Sequence, residues 1–354
     1  MSRARAVVEV AGTPRELGRA HGEAARGLIG QGLDAWLAVV GGDTDLTATA
    51  YVDSFLGATD FLKAIELFTP RLLEEVRGIA EGSNQRFEDV LAYQMMDEEW
   101  AYRTALQGAC ARSIEACSAA GVLRDDGTAV VGQNMDLPSH FDGTQVLLRT
   151  RPDDGVAVMV FTPAGLIGTT GMNEHGVGVC VNALFQIRNR QKGLPVAFVL
   201  RGALAQRSAR DAASLLKTVP HATGQNYLVG DPGRVEDYEC SPAGAVEVPA
   251  SGAQVLHTNH VLMSTDLDRE IGPDSDSTTV ERLDSLRSSL GELGASAGVP
   301  DLMRALSDRT VPVCVPRGAD WMTLGSVVME LSAEPVLHVA LGPPADTPYA
   351  RVTF

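Results

Sequence analysis

The stretch Ile114-Glu115-Ala116-Cys117-Ser118-Ala119-Ala120-Gly121-Val122-Leu123, the turn residues Arg124-Asp125-Asp126-Gly127, and Thr128-Ala129-Val130-Val131-Gly132-Gln133-Asn134-Met135-Asp136 together decide how this chain folds. Two β-prone runs flank an Asp-Gly pair, a strong short-range hairpin signal. Upstream of Cys117 the texture is helical. Thr13-Pro14-Arg15-Glu16 is a capping box with Pro at the first helical position, and Leu17, Ala20, Ala24, Leu28 and Ala35 follow at helical spacing. A second helix starts at Thr69-Pro70, with Leu73, Val76 and Ala80 on one face and Gly82 as the expected stop. Residues 87–100 continue the pattern, so the first third reads as α up to about residue 106.

Downstream the signals are those of strands. QVLLRT and VAVMVF flank Pro152-Asp153-Asp154-Gly155 as a second hairpin, and residues 176–184 read as a buried strand. Helix returns over 196–219. NYLVGD, VEDYEC and AQVLHTN are further strands, a charged helical stretch covers 276–292, and residues 288–298 read as a loop. TLGSVVMEL, PVLHVAL and YARVTF close the chain as strands. Hairpins with helices inserted in blocks predict stacked antiparallel sheets with helices outside, an α+β architecture.

The chain has 354 residues, enough to bury a core without disulfide staples. Its 45 acidic residues against 29 basic ones leave a formal charge of −16. Such a surface repels phosphate backbones and anionic lipid heads, so no nucleic acid and no membrane partner is expected. No apolar run reaches membrane-spanning length, and the start lacks the long apolar segment of a signal peptide. Five scattered cysteines with no CxxC pair suit a reducing, cytoplasmic compartment.

Chemistry concentrates at the junction. A Cys that opens a strand after a helical leader is either a small buried thiol or a nucleophile that becomes a chain start when the preceding peptide bond is cut. In the second case its own α-amine, with a pKa of about 7.7–8.0, takes the thiol proton near neutrality. A hairpin turning at Asp126-Gly127 returns Asn134 and Asp136 beside Cys117, where a carboxylate can hold an α-ammonium or make ordinary turn bonds. Asn182, at the end of VGVCVN, and Asn259, in His257-Thr258-Asn259-His260, sit at apolar strand ends, where a side-chain amide can stabilise an oxyanion. The two His of HTNH lack a third ligand at metal spacing, so no metal is expected. Cys180, Cys240 and Cys314 read as core, and His21 and His175 as structural.

These residues resemble the isopenicillin-N acyltransferase family of N-terminal-nucleophile hydrolases, and more distantly the choloylglycine hydrolases. The likeness runs through ELGRAHG (16–22), EEVRGIAEGSNQRFEDVLAYQ (74–94), CSAAGV to GQNMDL (117–137), GMNEHGVGVCVNAL (171–184), NYLVGD (226–231), HTNH and TLGSVVMEL to VALGPPADTPY (323–349). It implies a four-layer αββα sandwich with a helical N-terminal leader. Residues 1–116 would become a separate subunit after self-cleavage between Ala116 and Cys117, and 117–354 would form the catalytic part of one structural unit. It implies Cys117 as nucleophile, Asp136 from the GQNxD motif, and Asn259 and Asn182 as oxyanion donors. Arg282, after Ser277-Thr278-Thr279, resembles the Arg of the helix start that completes the site.

Two departures stand out: Ala116-Cys117-Ser118 replaces the family's Gly-Cys-Thr, and Met135 replaces a common aromatic. The extra methyl of Ala116 crowds the N-to-S acyl shift and predicts slower self-cleavage. Cys110 is the rival nucleophile, disfavoured by its distance from the hairpin. The expected activity is amide hydrolysis or acyl transfer through a Cys117 thioester, on a small amide or peptide-like acyl donor, with no cofactor. The expected partners are that small molecule and the chain's own N-terminal fragment, with a homo-oligomer left open. The alternatives are a non-catalytic binding protein of the same fold, and an unrelated Cys–His thiol hydrolase.

Overall fold

The computed structural model describes residues 7–107, 117–268, 277–318 and 320–354. Ala116 and the rival Cys110 lie outside the described residues. The chain opens with strand β1 (Val7–Gly12). Helices α1 (Pro14–Ala24), α2 (Arg26–Gly42), α3 (Ala48–Ala58), α4 (Phe61–Phe68), α5 (Pro70–Ser83), α6 (Phe87–Tyr93) and α7 (Met96–Leu106) follow. Next come β2 (Ser118–Leu123), β3 (Ala129–Pro138), β4 (Gln145–Pro152), β5 (Val158–Pro163), β6 (Thr170–Asn173) and β7 (Gly178–Ala183). Helices α8 (Val196–Leu204) and α9 (Ala209–Thr218) precede β8 (Gln225–Asp231), β9 (Arg234–Ser241), β10 (Gly244–Val248) and β11 (Gln254–His257). The chain ends with α10 (Thr279–Leu290), α11 (Val299–Leu306), β12 (Trp321–Leu331), β13 (Val336–Ala340) and β14 (Ala350–Thr353).

The strands build two sheets. One runs in the order β1-β4-β5-β6-β7-β8-β9-β10, the other β11-β2-β3-β12-β13-β14. The faces of β2 and β3 meet β7 and β8, which makes the sandwich interior. Outside the first sheet, α1 covers β1 and β4, while α8 and α9 cover β6 to β10; outside the second, α10 and α11 cover β11, β2, β3 and β12. Two helical layers thus enclose two sheets, the predicted αββα order. One apolar core joins both portions of the chain, since Leu17, Val76 and Ile79 share it with Leu147, Phe161 and Val179.

The hairpin forms where the sequence predicts it. Ser118 pairs with Asn134 and Leu123 with Ala129, and Gly127 turns with a positive φ of 79°. The strand does not end at Asp136, however. β3 runs on to Pro138 because β12 pairs along its other edge, with Trp321 opposite Pro138. The capping box is present, with the Thr13 N–H and hydroxyl both donating to Glu16 Oε2.

Several expectations change. The first third is not wholly helical: VVEVAG forms β1, parallel to β4 at the sheet edge, and Val8 and Val10 face the core. Gly82 does not stop α5; Asn84, left-handed at φ 58°, does. Gly82 instead lets α5 approach α1. A Cβ at Gly82 would sit 2.0 Å from the Arg19 carbonyl oxygen, and one at Gly18 would sit 1.8 Å from that of Glu75. Residues 288–298 are not simply loop, since α10 reaches Leu290 and a 3-10 turn covers Gly291–Ser296. Cys314 is buried, but in a turn rather than a strand.

Candidate active site

Cys117 immediately precedes β2 and is 4 % exposed. Its Sγ accepts from the Asp136 N–H at 3.4 Å and lies 3.7 Å from the Asp136 carbonyl oxygen. The two residues therefore meet at the open end of the hairpin. Sγ also touches the Met135 sulfur at 3.9 Å. Register places Thr323 opposite Asp136 and Gly325 opposite Met135, so β12 carries a bulge beside the site. Bulges re-aim side chains at such places, and the Phe161 ring from the facing sheet fills the space above Gly325.

The Asp136 carboxylate is 1 % exposed, and neither oxygen has a hydrogen-bond partner in good geometry among the described residues. Burial pushes its pKa up to about 7, with the nearby Thr323 hydroxyl and the Arg282 charge opposing part of the shift. Asn134, which the hairpin also returns, does other work: its amide donates to the Leu306 and Val313 carbonyls and ties α11 and the following turn to β3.

Arg282 unites the rest. It is fully buried near the start of α10, and its Nη1 donates to the Cys117 carbonyl at 2.6 Å and to Ser118 Oγ at 3.0 Å. Its Nη2 donates to Asn259 Oδ1 at 3.0 Å. With that oxygen held by the guanidinium, the Asn259 NH2 faces the other way and donates to the Ala183 carbonyl at 3.1 Å. A second amide hydrogen is left for another acceptor. Thr279 Oγ1 accepts from the Asn259 backbone N–H, and Thr258 Oγ1 donates to the Thr279 carbonyl, so the HTNH turn is clamped to the α10 start.

Asn182 is not tied to this cluster by its side chain. It is fully buried, and neither side-chain atom has a hydrogen-bond partner among the described residues. It shares the face of β7 with Gly178, where an added Cβ would meet Leu331 of the second sheet. Its amide thus looks across the sandwich toward the sheet that carries Cys117. An unpaired buried amide costs folding energy unless something else binds it.

Sequence reasoning missed the supports. Gln133 bridges the sheets, donating to the Val181 carbonyl and accepting from the Val181 N–H, which fixes β7 at Asn182. Glu239 sits in a row with Asn182 and Asn226 across three strands. It accepts from His257 Nε2 at 3.0 Å and from the N–H groups of Leu262, Met263 and Ser264. These bonds hold its pKa below the usual carboxylate range against the effect of burial, and the neighbouring carboxylates Asp237 and Glu239 raise that of His257 despite its own burial. The only signals in the sequence were a polar Gln inside GQNMD and the acidic run of VEDYEC, which holds Glu239.

A cavity of about 60 Å³ opens on Cys117 and Asp136, with Met135, Val181, Ala183 and Leu200 also in its lining; Asn182, Asn259 and Arg282 do not line it. No group of three or more His, Cys, Asp or Glu side chains among the described residues is arranged to hold a metal ion. No described helix is long and apolar enough to cross a membrane.

The two sheets between two helical layers are the architecture of the N-terminal-nucleophile hydrolase fold. The family model for acyl-coenzyme A:6-aminopenicillanic acid acyl-transferase matches residues 122–334, and the chain belongs to that family. It is 28 % identical over 255 residues to the acyl-coenzyme A:6-aminopenicillanic-acid-acyltransferase 40 kDa form of Emericella nidulans, covering 72 % of this chain and 68 % of that protein. Among solved structures, it matches a conjugated bile acid hydrolase of Clostridium perfringens with TM-score 0.46 and 13 % identity, over 67 % of this chain and 92 % of that one. A penicillin V acylase of Agrobacterium tumefaciens matches with TM-score 0.43 and 12 % identity, over 67 % and 86 %. Family membership supports an enzyme of the acyltransferase or amide-hydrolase kind.

Proposed function

We propose that the chain is a precursor that cuts itself before Cys117 and then acts as a thiol amidohydrolase or acyltransferase on a small amide. The observation that carries this reading is the setting of the Cys117 thiol, which lines a cavity at the hairpin mouth while Arg282 grips its carbonyl and Asp136 lies alongside. In the first reaction Sγ attacks the Ala116 carbonyl carbon and the C–N bond breaks. Ala116 is left as a thioester and the Cys117 amine is released. Water then frees the thiol and an Ala116 carboxylate. The shared apolar core keeps the leader bound to the rest.

In the second reaction the new α-amine takes the thiol proton and the thiolate attacks the substrate carbonyl. The tetrahedral oxyanion is met by Asn259 and Asn182, each such donor being worth roughly 2.7–4 kcal/mol. The ammonium passes its proton to the departing amine and a thioester remains. Attack by water gives the acid; attack by an amine gives a new amide. Asp136, neutral or ionised near pH 7 in the uncut chain, becomes the counter-ion of the ammonium once it forms, and the ammonium draws its pKa down.

Intact-mass measurement of purified protein tests this. Two fragments split between Ala116 and Cys117 are expected, with one uncut chain for Cys117→Ala. A single wild-type chain without thiol-dependent activity favours a binding protein of the same fold. Cleavage that survives Cys117→Ala but not Cys110→Ala identifies the other cysteine as the nucleophile.

A further inference from the structure

The first turn of α7 carries three consecutive acids, Asp97, Glu98 and Glu99. Two of them are committed to the fold. Glu99 accepts from Tyr51 and Arg103, and Glu98 Oε1 accepts from the Val196 N–H and the Thr223 hydroxyl. Asp97 differs. Its Oδ2 accepts from Gln225 Nε2 at 2.8 Å, and no other donor among the described residues reaches its carboxylate. It lines the Cys117 cavity, whose other lining carboxylate is Asp136, 1 % exposed and unpartnered.

A wider cavity of about 290 Å³ lies beside the first and shares Met96, Asp97 and Leu137 with it. Trp36, Trp100 and Trp321 line this outer chamber, together with Arg103 and its partners Asp43 and Glu99. Asp97 therefore stands in the wall between an aromatic vestibule and the thiol. Charge is unbalanced there. Burial raises the Asp97 pKa and Gln225 alone opposes it, whereas Glu98 is pushed up to about 8 by burial and by Asp97 itself. Arg103, the cation on the same helix, is spent on Glu99 and Asp43.

We infer that the amide accepted by this site carries a protonated amine, seated on the Asp97 carboxylate against the tryptophan-lined vestibule while the scissile carbonyl reaches Cys117. This rests on the reading of Cys117 as nucleophile. A cation there supplies the missing counter-charge, with a charge-assisted hydrogen bond to a carboxylate held in place by Gln225, and indole faces accommodate ammonium groups. A neutral chain of the same shape leaves the carboxylate without a partner. Discrimination by charge rather than by size follows, because one unsatisfied buried polar group outweighs a methylene in setting specificity.

The test uses the processed enzyme and amides of 7-amino-4-methylcoumarin with ω-aminoacyl chains of increasing length. Each is matched by the acyl amide in which methyl replaces ammonium. A second matched set places the ammonium on the leaving amine. In one of the two sets kcat/KM is expected to favour the cationic member at least tenfold, and Asp97→Asn removes that preference while Asp97→Glu retains part of it. The ratio is read within each variant, so a loss of folded protein does not mimic the effect. In the wild type, hexylammonium is expected to compete with substrate far better than hexanol. Equal rates for both members of each pair, or a preference that survives Asp97→Asn, overturns the inference. Sequencing from Cys117 together with hydrolysis of the neutral amides leaves the proposed function standing in that event. A chain with no Cys117 start and no hydrolysis removes both.

Discussion

The Arg282 guanidinium donates to the carbonyl oxygen of Cys117 at 2.6 Å across a separation of 165 residues. The same group fixes Asn259, so one fully buried cation orients both the candidate nucleophile and a candidate oxyanion donor. Arg282→Lys keeps the charge but not the planar fork that reaches Cys117, Ser118 and Asn259 together. The expected result is a fall in kcat of roughly 10²-fold, the cost of one misplaced oxyanion donor, together with slower chain cleavage. Product rates and gel analysis of fragment yield check both.

Asp136 predicts a pH dependence of stability in the uncut Cys117→Ala chain. Its folded pKa of about 7 lies above the unfolded value of about 3.9. The folded state therefore holds the proton more tightly, and this contribution is complete below pH 4 and is lost as pH rises to about 7. Asp136→Asn removes the penalty of ionising a buried carboxylate. Its Tm advantage over the parent should be larger at pH 8 than at pH 5; an advantage independent of pH would show that Asp136 does not titrate in this window.

Asn182 separates stability from activity. Both of its amide atoms are buried without a partner, so Asn182→Leu exchanges an unsatisfied polar group for an apolar one of similar size. Thermal denaturation should show a Tm equal to or above that of the wild type. Turnover of any accepted amide should fall by roughly 10²–10³. Full activity in this variant would remove Asn182 from the oxyanion site.

Glu239 acts through the turn it holds. Three backbone N–H groups and His257 converge on one carboxylate, and the turn they belong to carries Asn259. Glu239→Gln replaces one accepting oxygen with a donor and loosens that turn. A drop in kcat of roughly tenfold with KM little changed is expected, as when an interaction made in the transition state is weakened. Because the folded pKa of Glu239 is depressed, its contribution to stability is present above about pH 4.3 and is lost as pH falls below that value. The variant should therefore flatten the acid limb of a Tm-against-pH curve.

Gly18→Ala tests the attachment of the leader. A Cβ there would lie 1.8 Å from the Glu75 carbonyl oxygen, so α1 and α5 must move apart. Overpacking of this kind costs about 1–3 kcal/mol. The Tm should fall accordingly, and the N-terminal fragment of a cleaved sample should be lost more readily on size-exclusion chromatography.

Local chemistry wrote much of this protein into its sequence. The Asp126-Gly127 turn, alternating apolar residues and the Thr13 capping box act over a few neighbouring residues, so the hairpin, most strands and the leading helices were legible. The arithmetic of that hairpin also brought Asp136 to Cys117. Long-range pairing decided the rest. β1 looked like a helical leader because its partner β4 lies about 140 residues away, and β3 outran its predicted end because β12 pairs with it. Gly82 read as a stop, yet the approach of α1 to α5 requires it within the helix. The joining of Arg282, Cys117 and Asn259, the Gln133 bridge, the Glu239 anchor and the place of Asp97 between two cavities all depend on how layers stack. Backbone propensity is a property of near neighbours, whereas a buried charge declares its purpose only through the partners that folding brings to it.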